Sequence, residues 1–183
     1  LHPLPAVLVG TWSADGTPNA TTAAWSATCC MDPPCVGVAI RKARLTCRNI
    51  ERTRAFTICV PRSTMAVQVD YLGIVSGKDV PDKLERAGIH ASKASLVDAP
   101  LLDECPVVME CRLREALPLG SHTWFVGEVV ETHVDEAAVG QGGEVDPMAL
   151  DPLVYCTGDR AYHRLGGKVA DAYEAGKAIS RKG

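Results

Sequence analysis

The stretch IRKARLTCRNIERTR, residues 40–54, concentrates side chains that could bind an anion. It contains six basic residues and one acid, a net charge of +5, whereas the whole chain carries −3. The basic residues are Arg41, Lys42, Arg44, Arg48, Arg52 and Arg54. Guanidinium and ammonium groups bind phosphate and carboxylate oxygens through charge-assisted hydrogen bonds. The segment therefore predicts either an anion site or a solvated charged surface.

The residues around this segment favour an anion site in its first half. Arg41 ends the apolar run CVGVAIR, which predicts a buried strand. Thr46 is a plausible N-cap of a following helix, with Ala43, Cys47 and Ile50 on one face. A helix N-terminus offers unpaired N–H groups and a positive dipole end. The arginines further along are expected to face water. Three interpretations stay open: a phosphate site for a small ligand, a solvated helix face and a nucleic-acid patch.

Composition weighs against several other classes of protein. A net charge of −3 over 183 residues is not that of a dedicated nucleic-acid binder, and 5% aromatic residues offer few platforms for base stacking. No apolar run approaches the ~18 residues of a membrane helix, and the first residues lack the basic region of a signal peptide. Nucleotide-binding glycine motifs, a Ser/His/Asp arrangement and a clustered acid pair are all missing. We expect no nucleic-acid partner and no membrane association.

The eight cysteines do not form a recognisable metal or disulfide framework. The chain has no Cys-x-x-Cys pair, and CCMDPPC matches no standard zinc or iron–sulfur spacing. Several cysteines lie in apolar runs such as FTICV, where a thiol behaves as a small hydrophobe. We therefore predict no metal site, reduced thiols and a cytoplasmic location.

Strands are predicted to position the candidate residues. Asp15-Gly16 is a turn signal between PAVLVGT and ATTAAWSATCC. Further strands are predicted at CVGVAIR, AFTICV, VVMECRLREAL, HTWFVGEVVETHV and PLVYC. VVMECRLREAL alternates so that Glu110, Arg112 and Arg114 share the solvent face. Strands joined by hairpins, without regular alternation with helices, predict a mainly β fold and an antiparallel barrel.

Only a few short helices are predicted. One follows Thr46, and another carries Met65, Val69 and Leu72 on its buried face. A third follows Pro81 or Asp82 within a polar surface excursion, and a fourth covers the tail LGGKVADAYEAGKAI with Val169 and Tyr173 inward. Three single residues have open roles: His122 at the mouth of a strand, Trp25 among small residues, and Lys83, which by default is exposed.

The order of several motifs resembles the flavin reductase-like, FMN-binding split-barrel family, and within it the flavoredoxins. The motifs are PLPAVLVGTWSADGTPNATTAAW, DPPCVGVAIRKARLTCRNI, DYLGIVSGKDVPDKLE, ECPVVMECRL, HTWFVGEVVETHVD, DPLVYC and YHRLG. They cover almost the full length, so we expect one domain over residues 1–183. The resemblance implies a mainly β fold with a few short helices: a six-stranded antiparallel Greek-key split β-barrel. It also implies a homodimer that binds FMN near the subunit interface.

The resemblance implies a set of cofactor-binding residues as well. The front motif would line the flavin ring, the basic turn would hold the phosphate, and later segments would add single side chains. The implied set is Asn19, Thr21, Thr22, Ala23, Ala24, Trp25, Ser26, Arg41, Lys42, Ala43, Arg44, Thr46, Asn49, Lys83, His122 and Tyr155. Ala43 and Arg44 stand near a position where the family often has Ser, so the anion would depend more on charge and backbone N–H groups. His122 is the candidate catalytic residue, which would orient the donor or protonate the flavin.

The implied function is electron transfer between NAD(P)H, or a redox protein partner, and an acceptor through bound FMN. The cofactor supplies the redox chemistry, and the protein sets geometry and access. An alternative is a flavin-binding protein without turnover, which stores or senses flavin. A barrel that binds nucleic acid through the basic segment is a third hypothesis, against which the scarcity of aromatic residues counts.

Overall fold

Strands dominate residues 2–180, the part of the chain that the computed structural model describes. Leu1 and residues 181–183 of the predicted domain lie outside the described residues. The strands are β1 (Leu4–Pro5), β2 (Val7–Trp12), β3 (Pro18–Ala23), β4 (Ser26–Met31), β5 (Pro34–Arg41), β6 (Ala55–Val60), β7 (Ala91–Lys93), β8 (Pro100–Leu102), β9 (Val107–Leu119), β10 (His122–Val134), β11 (Val154–Cys156) and β12 (Ala161–His163). The helices are α1 (Leu45–Thr53), α2 (Ala66–Ile74), α3 (Lys83–Arg86), α4 (Pro147–Leu150) and α5 (Lys177–Ser180). The predicted mainly β class is confirmed.

The main sheet closes into a barrel. Its seven antiparallel strands follow the order β3-β2-β6-β9-β10-β5-β4. β3 and β4 lie at opposite edges, yet only Ala24 and Trp25 separate them in the chain. Their ends can therefore lie no more than about 11 Å apart, which brings the two edges together. The backbone N–H of Ala39 on β5 donates to the carbonyl of Trp25 (2.9 Å), so the link between the two edges lies against β5.

The antiparallel barrel is as predicted, and its strand count differs for a local reason. The stretch ATTAAWSATCC was expected to be one returning strand, but it divides at Ala24–Trp25 into β3 and β4. The two halves pair with different neighbours, β2 and β5. The expected six strands therefore become seven.

Two apolar clusters lie on either side of the sheet. Val9, Phe56 and Phe125 pack with Ile50 of α1 in one cluster. The other joins β2 to α2 and the start of α3, with members that include Leu8, Val69, Leu72 and Leu84. β2 contributes to both because successive side chains of a strand point to opposite faces. The predicted burial of Met65, Val69 and Leu72 is confirmed, with Met65 at the N-cap of α2.

The polar excursion after α2 is partly core, contrary to the prediction. Leu84 is 3% exposed and Ile89 4% exposed, and both belong to the cluster that packs against α2. Two apolar side chains of this segment are therefore buried in the core, although the average composition of the segment is polar.

The tail helix is shorter than predicted. Helix is present only over Lys177–Ser180, and Val169 and Tyr173, expected to point inward, are 98% and 96% exposed. Residues 168–175 are all exposed and Tyr173 has a φ of +63°, so within the described part of the chain this stretch lacks the tertiary packing that stabilises a short helix.

Candidate functional site

An open cavity lies where the barrel closes. It has a volume of about 200 Å³ and is formed by the end of β3, the Ala24–Trp25 link, the end of β5, the start of β10 and one side chain before α1. Its lining residues are Thr21, Thr22, Ala23, Ala24, Trp25, Ala39, Ile40, Arg41, Arg44 and His122. Eight of these ten residues belong to the cofactor-binding set expected from the sequence. The eight come from three segments that are far apart in the chain. Antiparallel pairing of β5 with β10 places Arg41 directly opposite His122.

Trp25 and His122 form an aromatic pair at this cavity. Their ring centroids are 4.7 Å apart and their planes meet at 44°. Trp25 is 51% exposed, so its ring can also contact a ligand. Burial, together with the nearby charge of Arg41, lowers the pKa of His122. The imidazole is therefore neutral near pH 7, and its Nδ1 lies 2.9 Å from the hydroxyl of Ser121.

The basic turn connects β5 to α1 beside the cavity. Arg41, Lys42 and Ala43 are exposed. The N–H of Lys42 donates to Ser121 (3.3 Å) and that of Arg44 to Arg41 (2.9 Å), so the turn is held against β10. In α1, all of which the structure describes, no acidic residue stands in the first turn. The turn therefore presents cationic side chains and a helix N-terminus whose positive potential no acid offsets.

Arg44 also contacts the end of α2. Its Nη1 donates to the carbonyl of Val75 (3.4 Å), and its Nη2 donates to the carbonyl of Gly73. The guanidinium thus lies between the cavity and the C-terminal end of a helix, where cations are favourable. Arg44, and not Thr46, occupies the N-cap position of α1, because the helix begins at Leu45.

Lys83 is buried, whereas the sequence-based expectation was a solvent-exposed side chain. It is 1% exposed, and its Nζ donates to the carbonyls of Leu72 (3.3 Å) and Val75 (3.0 Å). Burial, with a contribution from Arg44, lowers the pKa of Lys83 to about 8. Lys83 does not line the cavity; it supports the end of α2 behind Arg44.

Three more residues of the expected set form a buried polar network. The Nδ2 of Asn19 donates to the hydroxyls of Thr46 (2.9 Å) and Thr11 (3.3 Å), and the Nδ2 of Asn49 donates to Thr11 (3.1 Å). Asn19, Thr46 and Asn49 are each at most 3% exposed. The network joins α1 to β2 and β3, so these residues position the start of the helix.

One hydroxyl at the cavity is buried without a partner. Thr21 Oγ1 has no hydrogen bond within residues 2–180, whereas Thr22 donates to the carbonyl of Val69. A buried polar atom without a partner is costly and calls for an explanation such as a ligand. The neighbouring Ala23 and Ala24 leave the backbone accessible to a flat ring. These features, with the cations of the turn, fit a phosphorylated aromatic ligand.

Two further cavities adjoin the first. One, of about 430 Å³, shares Thr22 and Ala24 and contains Tyr155; the other, of about 450 Å³, shares Trp25 and contains Ser26. The first of these is lined by Ala6, Thr22, Ala24, Asp70, Gly73, Ile74, Tyr155, Arg160 and Tyr162. The structure therefore places the remaining expected residues, Ser26 and Tyr155, next to the central cavity and not in it.

Sequence reasoning missed several lining residues. Ala39 and Ile40 belong to a strand that was treated only as core, although they immediately precede Arg41. Trp124 and Tyr162 gave no signal beyond ordinary strand residues. Trp124 lies beside Gly37 on the neighbouring strand, where a Cβ would collide with its ring. The sequence CVGVAIR carries that glycine, which was the one available hint of a close aromatic neighbour.

The flavin reductase like domain matches residues 1–166 of the chain. An uncharacterized protein of Archaeoglobus fulgidus is 32% identical over 136 residues, which cover 74% of this chain and 75% of that protein. The chain belongs to the flavin reductase-like family. This membership supports a flavin-binding redox protein.

Two solved structures with the same fold are flavoredoxins. The flavoredoxin of Desulfovibrio vulgaris (Miyazaki F) has a TM-score of 0.91 at 36% identity. The match covers 96% of this chain and 94% of that flavoredoxin. The flavoredoxin of Methanosarcina acetivorans has a TM-score of 0.90 at 28% identity. The match covers 98% of this chain and 94% of that flavoredoxin. An FMN-binding protein from Thermus thermophilus shares the fold at 24% identity, with a TM-score of 0.79 and coverage of 93% and 90%. The split-barrel expectation and the similarity to flavoredoxins are confirmed.

A search of residues 2–180 for a helix long and apolar enough to cross a membrane finds none.

Proposed function

We propose that the protein binds FMN in the central cavity and passes electrons between NAD(P)H, or a redox protein, and an acceptor. Family membership supports a flavin as the ligand. The observation that carries the choice of FMN is the basic turn at the edge of the cavity, where the exposed Arg41 belongs to the lining and the exposed Lys42 lies beside it. Riboflavin has no anionic group for such a turn, whereas FMN carries a phosphate.

The residues that would hold FMN divide by chemistry. Backbone groups of Thr21 to Ala24 and the unpartnered Thr21 hydroxyl would face the ring, and Trp25 would contact its edge or face. Arg41, Lys42 and the start of α1 would bind the phosphate by charge and N–H groups. Asn19, Thr46, Asn49 and Lys83 would act indirectly, because their side chains bind the rest of the protein. Bound FMN would supply reversible acceptance of one or two electrons.

His122 is the proposed catalytic residue. Its neutral imidazole lies against Trp25 at the cavity, where it can hold or accept a proton near pH 7. Arg41 on the neighbouring strand places positive charge beside it and would favour negative charge on a nearby ligand. The His122 side chain would orient the electron donor and exchange a proton with the bound flavin.

A homodimer with the cavity near its interface is part of the proposal. Trp25, at the cavity, is 51% exposed. Apolar side chains exposed beside a site are typical of a surface that a partner covers. A redox protein would dock at the same side to reach the cavity. Light scattering of the FMN-loaded protein tests the dimer.

The function is tested by anaerobic titration of the purified protein. We expect the apo protein to bind one FMN per chain and the flavin absorbance to bleach with NADH or NADPH. Dithionite provides the control that bound FMN can be reduced at all. A protein that takes up no FMN would overturn the proposal. Binding with reduction by dithionite, but none by NADH, NADPH or a reduced redox protein, would favour the alternative of a flavin store or sensor.

A further inference from the structure

The β11–β12 hairpin brings together three side chains with metal-ligating groups. Cys156 ends β11, Asp159 lies in the connecting turn and His163 ends β12. Their ligand atoms all lie within 4.8 Å of one another. His163 Nε2 is 2.8 Å from Asp159 Oδ2. The three residues lie outside the three cavities described above.

The register of the hairpin explains why these side chains meet. Cys156 pairs with Ala161, and Val154 pairs with His163. Residues two apart in a strand share a face, so Cys156 and His163 lie diagonally across one face of the hairpin. Asp159 Oδ1 accepts from the N–H of Ala161 (3.1 Å), which fixes the carboxylate near the other two groups. The backbone therefore preorganises all three.

We propose that Cys156, Asp159 and His163 form a three-ligand site for a divalent transition-metal ion, with zinc(II) the best match. Zinc accepts sulfur, nitrogen and carboxylate oxygen at about 2.0–2.3 Å, so ligand atoms of a tetrahedral site lie about 3.3–3.8 Å apart. His163 Nε2 and Asp159 Oδ2 are 2.8 Å apart, so a bound ion would replace their hydrogen bond and separate these two atoms slightly. A thiolate and an imidazole disfavour magnesium and calcium, which require oxygen ligands.

Accessibility is consistent with such a site. The side chains of His163 and Asp159 are 48% and 53% exposed, and Cys156 is half-buried. An ion can therefore enter from solvent, and water would complete its coordination. The spacing Cys-x2-Asp-x3-His is not a standard zinc motif, which is why the sequence predicted no metal site.

The site has a structural link to the cavities. Tyr155 directly precedes Cys156 in β11, and Tyr162 directly precedes His163 in β12. The two tyrosines therefore lie on the opposite face of the hairpin, with ring centroids 5.6 Å apart. Both line the cavity that adjoins the central one. A metal ion would join the two strands near their turn and hold this wall of the cavity in place.

Cobalt(II) titration of the full-length, reduced, FMN-free and tag-free protein tests the site. We expect one equivalent of cobalt to bind with thiolate-to-metal charge-transfer absorbance, and zinc to displace it. Cys156→Ser should abolish this absorbance, and Asp159→Asn or His163→Gln should weaken binding at least about tenfold. The matched control is Cys30→Ser, which removes an exposed thiol elsewhere and should leave the titration unchanged.

Absence of charge-transfer absorbance in the native protein would overturn the proposal. So would absorbance that persists in Cys156→Ser but disappears in Cys30→Ser. If Cys156→Ser fails to fold, the effect of zinc on the melting temperature tests the site instead. Zinc should raise the melting temperature of the native protein and should not raise that of Asp159→Asn. The assay contains no FMN, so its result is independent of the proposed redox function.

Discussion

Two groups of cations lie in or beside the central cavity, and they differ in what they bind. Arg44 and Lys83 donate to the carbonyls at the end of α2 and so bind the protein itself. Arg41 and Lys42 are exposed, and within residues 2–180 neither side chain makes a hydrogen bond. The difference separates charges that stabilise the fold from charges that can bind a ligand.

Glu110 on β9 is an acidic residue that, like Arg44 and Lys83, binds the protein itself. It is fully buried, and it accepts from the N–H groups of Ser95 (2.9 Å) and Leu96 (2.7 Å), from the Ser95 hydroxyl (2.7 Å) and from His133 Nε2 (2.7 Å). The sequence placed it on the solvent face, which is wrong because the loop after β7 covers that face. Burial alone would raise the pKa of Glu110, but the hydrogen bonds from His133, Ser95 and Leu96 lower it to about 2.

The largest predicted effect is on stability, from Glu110→Ala. The N–H groups of Ser95 and Leu96 lose their acceptor, so the free energy of unfolding at pH 7 should fall by about 3 kcal/mol. Because the folded pKa is below the usual 4.5, this stabilisation is present above pH 4.5 and is lost as the pH falls towards 2. Urea unfolding of the apo protein measures it.

The control for this variant is Glu115→Ala, an exposed position on the same strand, which should cost less than about 0.5 kcal/mol. Equal losses for the two variants would contradict the division between buried and exposed charges. FMN affinity should stay within about twofold in both.

The second prediction concerns Lys83 and alkaline pH. The folded pKa of Lys83, about 8, lies below its usual value of 10.5, so the unfolded chain binds more protons between these two pH values. The native protein should therefore become more stable, by up to about 3 kcal/mol relative to Lys83→Met, as the pH rises from 8 to 10.5. A difference in unfolding free energy that does not change with pH would show that Lys83 is not buried as a cation.

The third prediction concerns His122 and rests on the proposed function. His122→Asn should slow reduction of bound FMN by NAD(P)H about tenfold, because the proton-exchanging group is lost. Since the pKa of His122 is lowered from 6.5, any dependence of the native rate on its protonation should lie below pH 6.5. Stopped-flow absorbance measures the rate. His90→Asn, an exposed histidine, is the control, and an unchanged rate in His122→Asn would remove it from the mechanism.

The smallest predicted effect separates the two halves of the basic segment. Arg48 and Arg52 are exposed on α1, and Arg52 donates to the carbonyl of Trp12 (2.7 Å). Arg48→Ala with Arg52→Ala should change the dissociation constant of FMN by less than about twofold. Both side chains lie on the exposed surface of α1 outside the cavity, where solvent screens their charge. A loss of tenfold or more would extend the phosphate site along the helix.

Local sequence patterns predicted the features that depend on neighbours in the chain. The strand before Arg41, the buried face of α2 and the turn at Asp15-Gly16 follow from periodicity and turn chemistry. The resemblance to the family added the joint position of Thr21–Trp25, Arg41, Arg44 and His122. Each of these features can be predicted from a short stretch of sequence or from the order of the family's motifs.

The features that depend on distant segments were not predictable in the same way. The burial of Lys83 and Glu110 requires knowledge of which loop or helix end lies over each residue. The unpartnered hydroxyl of Thr21 depends on every group within reach of one oxygen. The prediction of the tail helix was wrong because Val169 and Tyr173 have helical spacing but pack against no other element within residues 2–180.

The central claim is that the exposed cations of the turn bind the phosphate of FMN. It is tested by titrating flavin fluorescence or absorbance with FMN and with riboflavin, in the native protein and in Arg41→Ala with Lys42→Ala. We predict a loss of FMN affinity of about 100-fold, equivalent to about 3 kcal/mol from two charged contacts, with riboflavin affinity within about threefold. Equal losses for FMN and riboflavin would contradict the claim.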